Sequence, residues 1–328
     1  MGKQFRVIRK IASVPITANG FATQDLPRDY DYEYIGLRIA ASLQVTGAAT
    51  SVRAESPCQL VPRVEVVADG KNNLFSAPFW YTSLGNVRRS LTQSGGRATT
   101  PPSGTGVATY AVEALGFIDF ATLDGVRPKD SNFRSRGLSL FQLRLTFGAA
   151  GDAFVGGTVA FSGSPVVDVY AVQMVEETDA AGAFMSSPMA LRKVSYQEQA
   201  FAASNANAEF RLPAGNLIRS VFVRTDGSTT AGEPSTAVLN NLTLQNGIDV
   251  RLNLSAANLR GLNNGQFGAV TAGYYLADLM RQESSGNAML SNLWDVTGAS
   301  EPKAILDVTG AANVKVQAVT EEYILRAA

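Results

Sequence analysis

Histidine is absent from all 328 positions, and that one gap closes more chemistry than any motif in the chain opens. Without imidazole there is no Ser-His-Asp or Cys-His relay and no histidine-ligated zinc. Cysteine occurs once, at Cys58, which excludes an internal disulfide and any cysteine-rich metal site; the residue reads as a small buried hydrophobe. Charged side chains make up only 17% of the chain, and the 28 basic and 28 acidic ones cancel. Broad wrapping of nucleic acid, which depends on neutralising phosphates, is not expected of such a surface. No apolar run approaches the roughly 18 residues of a membrane-spanning helix, and the N-terminus lacks the apolar stretch and small-residue cleavage site of a signal peptide. Gly156-Gly157 makes no phosphate loop, because no Gly-Lys-Ser/Thr follows. Carboxylate pairs remain as acid/base candidates. Asp119, Asp124 and Asp130 lie among Arg127, Lys129, Arg134 and Arg136, however, where surface ion pairing accounts for them. The chain reads as a protein without enzymatic turnover.

What the chain does contain is a repeat. Leu26-Pro27 is followed by Ile35-Gly36-Leu37-Arg38-Ile39, and Leu212-Pro213 by Val221-Phe222-Val223-Arg224-Thr225, at an offset of 186. Asp69-Gly70 and Asn246-Gly247, each with the composition of a tight hairpin turn, repeat at 177. Val167–Val172 and Val314–Val319 repeat at 147, each preceded by a Gly-Ala-Ala at Gly148 or Gly310. Three matches in the same order indicate a duplicated folding unit. The falling offset means that the first copy holds 39 more residues than the second, 186 less 147. The Gly- and Pro-rich stretch between Val87 and Arg136 is the expected place for them.

Runs of β-formers such as 35–45, 60–67, 138–147, 166–175, 220–225 and 314–320 are each bounded by Gly, Pro, Asn or Asp. Helical signals are weak and confined to 270–281 and 77–84. The expected architecture is all-β: two tandem eight-stranded jelly-roll sandwiches with long loops and one or two short helices. The N-terminal jelly roll spans 1–178 with long loops around 87–136, a linker spans 179–190, and the C-terminal jelly roll spans 191–328.

Three clusters stand out as candidate sites. Lys3, Arg6, Arg9 and Lys10, interleaved with Phe5, Val7, Ile8 and Ile11, form either a solvated first strand or a contact to lipid headgroups or nucleic acid. Asp29, Asp31 and Glu33 share a strand parity with the apolar Ile35, Leu37 and Ile39. That conflict predicts a bulge or loop end near Tyr34–Gly36. The three acids then form a salt-bridged face or, alternatively, weak ligands for a cation such as calcium. Phe79-Trp80-Tyr81 is a core or interface anchor, or else an exposed stacking platform for a sugar or a base.

The order Thr17-Ala18-Asn19-Gly20, Leu26-Pro27, a β-run, then Pro57-Cys58-Gln59-Leu60-Val61-Pro62-Arg63-Val64-Glu65-Val66 with Asp69-Gly70 resembles the N-terminal jelly roll of double jelly-roll major capsid proteins. Those proteins come from tailless icosahedral bacteriophages, often with an internal membrane. The resemblance implies a homotrimer serving as a pseudo-hexameric tile, assembled in the host cytoplasm into a virion shell that encloses the genome. Its implied partners are neighbouring trimers and penton and minor capsid proteins, with Lys3, Arg6, Arg9 and Lys10 turned inward to a membrane or genome. It implies no cofactor beyond a structural cation and supplies no catalytic residue. A receptor- or carbohydrate-binding β-sandwich spike is the rival function. Side-by-side contacts rich in uncharged residues suit the shell reading, at the roughly 2,000 Å² or more that obligate interfaces bury.

Overall fold

A computed structural model of the chain describes residues 5–47, 51–84, 99–104, 106–120, 132–175, 190–227, 230, 232–268, 270–279 and 293–325. It divides into two compact units that part between Leu191 and Arg192. Of the linker interval 179–190, all but Ala190 lies outside the described residues.

Among the described residues, eight strands of five or more residues build the first unit, beside two-residue strands at Ser51–Val52, Thr99–Thr100 and Phe154–Val155: β1 Phe5–Pro15, β2 Phe21–Asp25, β3 Asp31–Thr46, β4 Arg63–Ala68, β5 Asn72–Ala77, β6 Ala108–Asp119, β7 Phe141–Thr146 and β8 Thr158–Val175. One sheet has the order β1-β8-β3-β6 and the facing one β2-β7-β4-β5. Helix α1, Phe79–Leu84, follows β5. Among the described residues, eight strands of five or more residues also build the second unit, beside a two-residue strand at Trp294–Asp295: β9 Ala190–Ala200, β10 Asn205–Arg211, β11 Leu217–Asp226, β12 Leu239–Asn246, β13 Asp249–Ser255, β14 Tyr274–Asp278, β15 Pro302–Val308 and β16 Lys315–Leu325. Their orders are β9-β16-β11-β14 and β10-β15-β12-β13. Adding eight to each strand number of the first unit gives the second. Each unit is a jelly roll, and the chain is a double jelly roll.

Period-two patterning fills both cores. Along β3, Ile35, Leu37, Ile39, Leu43 and Val45 are buried while Arg38, Ala40 and Ser42 between them are not. In the second unit Val221, Val223, Leu242, Leu244, Ala304, Leu306, Val316 and Ala318 pack into one apolar cluster. The repeated motifs fall at matching places. Leu26 donates its backbone N–H to the carbonyl of Phe141, the first residue of β7, at 2.9 Å; Leu212 does the same to Pro302, the first residue of β15, also at 2.9 Å. Gly148 and Gly310 each sit two residues past the seventh strand of their unit. A Cβ at Gly310 would lie 2.1 Å from the Ala203 carbonyl oxygen, and one at Gly148 2.9 Å from that of Gln59. Both turns therefore need the residue that lets two backbones meet.

Strand pairing corrects two expectations about the repeat. Val167 stands opposite Ile39 and Val316 opposite Thr225, so the eighth strands match at an offset of 149, two residues from the value suggested by composition. The surplus of the first unit is also not confined to 87–136. From the third strands to the hairpins the offset falls by nine, from there to Gly148 and Gly310 by fifteen, and from those glycines to the eighth strands by thirteen. Length is thus added in three connections and in β8 itself, which has 18 residues against 11 in β16.

The helical expectation at 270–281 is overturned: Tyr274–Asp278 is strand β14, and the helix, α2, spans Ala256–Phe267. Ser255 caps it by accepting from the Asn258 N–H. The expectation at 77–84 is met by α1. Asn263 in α2 is buried and clasps the outer edge of β14: its amide nitrogen donates to the Leu276 carbonyl at 2.8 Å and its oxygen accepts from the Leu276 N–H at 2.8 Å. One side chain thereby supplies the bonds a further strand would have made. Asn263→Ala is expected to cost about 1–3 kcal/mol for each orphaned backbone group. Asn263→Asp, which keeps the acceptor but sets a buried carboxyl oxygen against the Leu276 carbonyl, should cost at least as much by urea midpoint.

Aromatic rings close one end of the first unit. Tyr32, Phe120, Phe133 and Phe141 are all buried, with Phe141 at 5.1 Å from both Tyr32 and Phe133 and Phe120 stacked on Phe133 at 5.2 Å between centroids. Cys58 is buried, and burial pushes its thiol up to about 12. Among the described residues no helix is long and apolar enough to cross a membrane.

Candidate assembly surface

The outer face of the β1-β8-β3-β6 sheet carries a chain of charges, one from each strand. Lys10 of β1 lies 2.7 Å from Asp168 of β8, which lies 3.5 Å from Arg38 of β3, and Arg38 holds Glu113 of β6 through two hydrogen bonds of 2.8 and 3.1 Å. Ser13 donates its hydroxyl to Asp168 at 2.6 Å. The strands force this meeting: Asp168 stands directly opposite Arg38, and Glu113 opposite Ala40, two residues along β3. Two cations and two anions cancel across the face. Burial pushes the Asp168 carboxyl up, but the hydrogen bonds from Lys10 and Ser13 and the nearby Arg38 outweigh it and leave it below its ordinary range. The hydrogen bond from Arg38 likewise pulls Glu113 down.

A carboxyl depressed in the folded state lends stability above its ordinary titration range and loses it as the pH falls through the folded value. The stability gap between wild type and Asp168→Asn is therefore expected near pH 7 and should close on acidification through the carboxylate range. Urea unfolding at a series of pH values checks this. A gap that persists unchanged in acid would contradict the ion-pair origin.

The basic and acidic clusters picked out in the sequence meet each other. Arg6 holds Glu33, its Nε donating at 2.7 Å, and lies over the Tyr34 ring. Arg9 pairs with Asp29, and Arg134 lies 3.9 Å from Asp31. Lys3 lies outside the described residues. Asp29, Asp31 and Glu33 thus serve as ion-pair partners, and among the described residues no group of three metal-ligating side chains comes together. The predicted parity break is a bulge at Glu33, one residue earlier than Tyr34–Gly36: Tyr32 and Tyr34 face the adjacent Gln173 and Val172. It turns Tyr32 into the core with Ile35. The second unit has the same bulge at Arg219, 186 residues on, between Ile218 and Ser220. A bulge kept in both copies is a built feature of this strand.

Asp119, expected on a loop surface, is buried at the end of β6, while Asp124 and Asp130 lie outside the described residues. Phe79, Trp80 and Tyr81 are 0%, 3% and 4% exposed. Their burial makes them core anchors and overturns the reading of this triplet as an exposed stacking platform for a sugar or a base. Sequence reasoning missed Asp168 and Glu113, because only strand pairing brings residues so distant along the chain beside Arg38.

Across nearly its whole length the chain is similar to solved viral proteins. The major capsid protein of Sulfolobus turreted icosahedral virus matches with a TM-score of 0.74 at 15% identity, over 98% of this chain and 97% of that one. The major capsid protein of bacteriophage PM2 matches at 0.61 and 15% identity, over 98% of each. VP54 of the virus PBCV-1 matches at 0.62 and 12% identity, over 98% of this chain and 94% of that one. At such identities the likeness is one of fold. No protein-family model and no curated protein matches the chain in sequence.

Proposed function

We propose that this chain is a major capsid protein that self-assembles, through trimers acting as pseudo-hexameric tiles, into an icosahedral virion shell around a genome. The observation that carries the reading is the duplication itself: two jelly rolls of identical strand order in one chain, an architecture similar to capsid proteins along 98% of the chain. Two like units per chain let a threefold assembly occupy a sixfold lattice position. The self-cancelling sheet face supports side-by-side packing, since burying it leaves no charge without a partner. Such a protein acts by enclosing, without turnover. Pentons, minor capsid proteins and neighbouring trimers are its proposed partners.

The inward role proposed for Lys3, Arg6, Arg9 and Lys10 draws on little free charge. Arg6, Arg9 and Lys10 already pair with Glu33, Asp29 and Asp168. Purified protein should show the mass of a trimer by light scattering at micromolar concentration, and closed particles by electron microscopy under assembly conditions. A persistent monomer would refute the proposal.

A further inference from the structure

Each unit presents the same two surfaces, the outer face of its first sheet and the helix after its fifth strand, and their exposure is opposite in the two halves. In the second unit the sheet face is closed: Ser220, Arg224, Asp226 and Glu321 are 0–3% exposed. In the first unit it is open, with Ile8 65% exposed and Arg38 exposed for 39% of its side chain. The helices reverse this. Trp80 and Tyr81 of α1 are buried, whereas Leu262 of α2 is 61% exposed beside exposed Ala257, Asn258, Gly261, Gly265 and Gln266. The open face of α2 carries no charged side chain, unlike a helix patterned to meet water.

Building on the assembly reading, we infer that α2 of one copy docks on the outer face of the β1-β8-β3-β6 sheet of a second copy, over Tyr34, Arg38, Leu115 and Phe117. One surface has no charge and the other has its charges cancelled, so neither leaves an unpaired ion when buried. Gly261 and Gly265, one turn apart, let the helix backbone come close. The two surfaces are different, so every copy gives one and receives one. Such a heterologous contact closes into a ring or grows into a filament, and a ring of three is the trimer proposed above.

The experiment uses the full chain and the fact that Cys58 is buried, which leaves introduced cysteines as the reactive thiols. Leu115→Cys and Leu262→Cys proteins, assembled together and treated with a short thiol-to-thiol crosslinker, should give a two-chain product that neither gives alone; the double variant should give a closed three-chain product. Leu262→Asp, at a position too exposed to disturb the fold, should keep the wild-type melting temperature while weakening self-association about tenfold or more. Trimers without the mixed crosslink, or a crosslink of Leu262→Cys with itself, overturn this contact and leave the shell reading standing. A wild-type chain that stays monomeric overturns both.

Discussion

Arg224→Ala is expected to destabilise the protein by about 3–5 kcal/mol, while Arg38→Ala, the same position of the other unit, is expected to cost about 0–1 kcal/mol. The two arginines are repeat partners, and the residues opposite them, Asp168 and Gln317, are repeat partners too. Their surroundings differ. In the unassembled chain, where this comparison is made, Arg38 spans the outer face in contact with water, so desolvation is small and ion pairs are worth little. Arg224 is 1% exposed and holds buried Asp226, the Gln317 amide oxygen at 3.3 Å and the Gly232 carbonyl at 2.8 Å. Burial pushes the Asp226 carboxyl up, and Arg224 is the chief influence pulling it back. Removing the guanidinium leaves a buried carboxyl and a half-buried carbonyl without this donor. Arg224→Met, of similar reach but uncharged, should recover little, because the stranded acceptors remain. Urea midpoints for the variants test the contrast, and equal losses at 38 and 224 would show that burial is not what separates them.

Phe141→Ala is the second large effect, about 3–5 kcal/mol. Phe141 is 1% exposed and touches Tyr32, Phe120 and Phe133, so truncation removes ring contacts on several sides at once. The surrounding rings belong to three separate segments, which leaves the void little freedom to collapse. Phe141→Leu should lose less than half as much. Tyr32→Phe, which deletes the hydroxyl donated to the Pro27 carbonyl at 2.6 Å, should lose about 1 kcal/mol. Thermal and urea unfolding of the three variants give the ranking, and a Phe141→Ala protein as stable as Tyr32→Phe would refute the account of this cluster.

Much of the fold was legible because the repeat is written in residues whose local chemistry matters. Leu26 and Leu212 are buried core residues, and Gly148 and Gly310 and the hairpin turns after β4 and β12 each do a backbone job that few other residues do. The helix α2 was illegible for the opposite reason: Gly261, Gly265, Asn258, Asn263 and Asn264 are poor helix formers, and the segment is held by packing and by the Asn263 clasp. Tyr274–Asp278 looked helical because its spacing fits either period, and pairing with β11 decided the matter. Composition also marks where loops occur without revealing which strands grow longer, so it points to one connection for a surplus that three share. The bulge was half legible: charge parity demanded one, but only pairing with β8 put it at Glu33. The candidate surface was the least legible part, since its charges come from four strands far apart in the chain.

The amide of Asn263 has a consequence for how crowded copies behave. A strand with a bare rim invites another such strand to zip onto it, and that growth has no built-in end. By occupying the rim of β14 from within its own chain, the side chain denies newly made copies that shortcut. Encounters at high concentration are then steered toward finite, closed bodies and away from fibres.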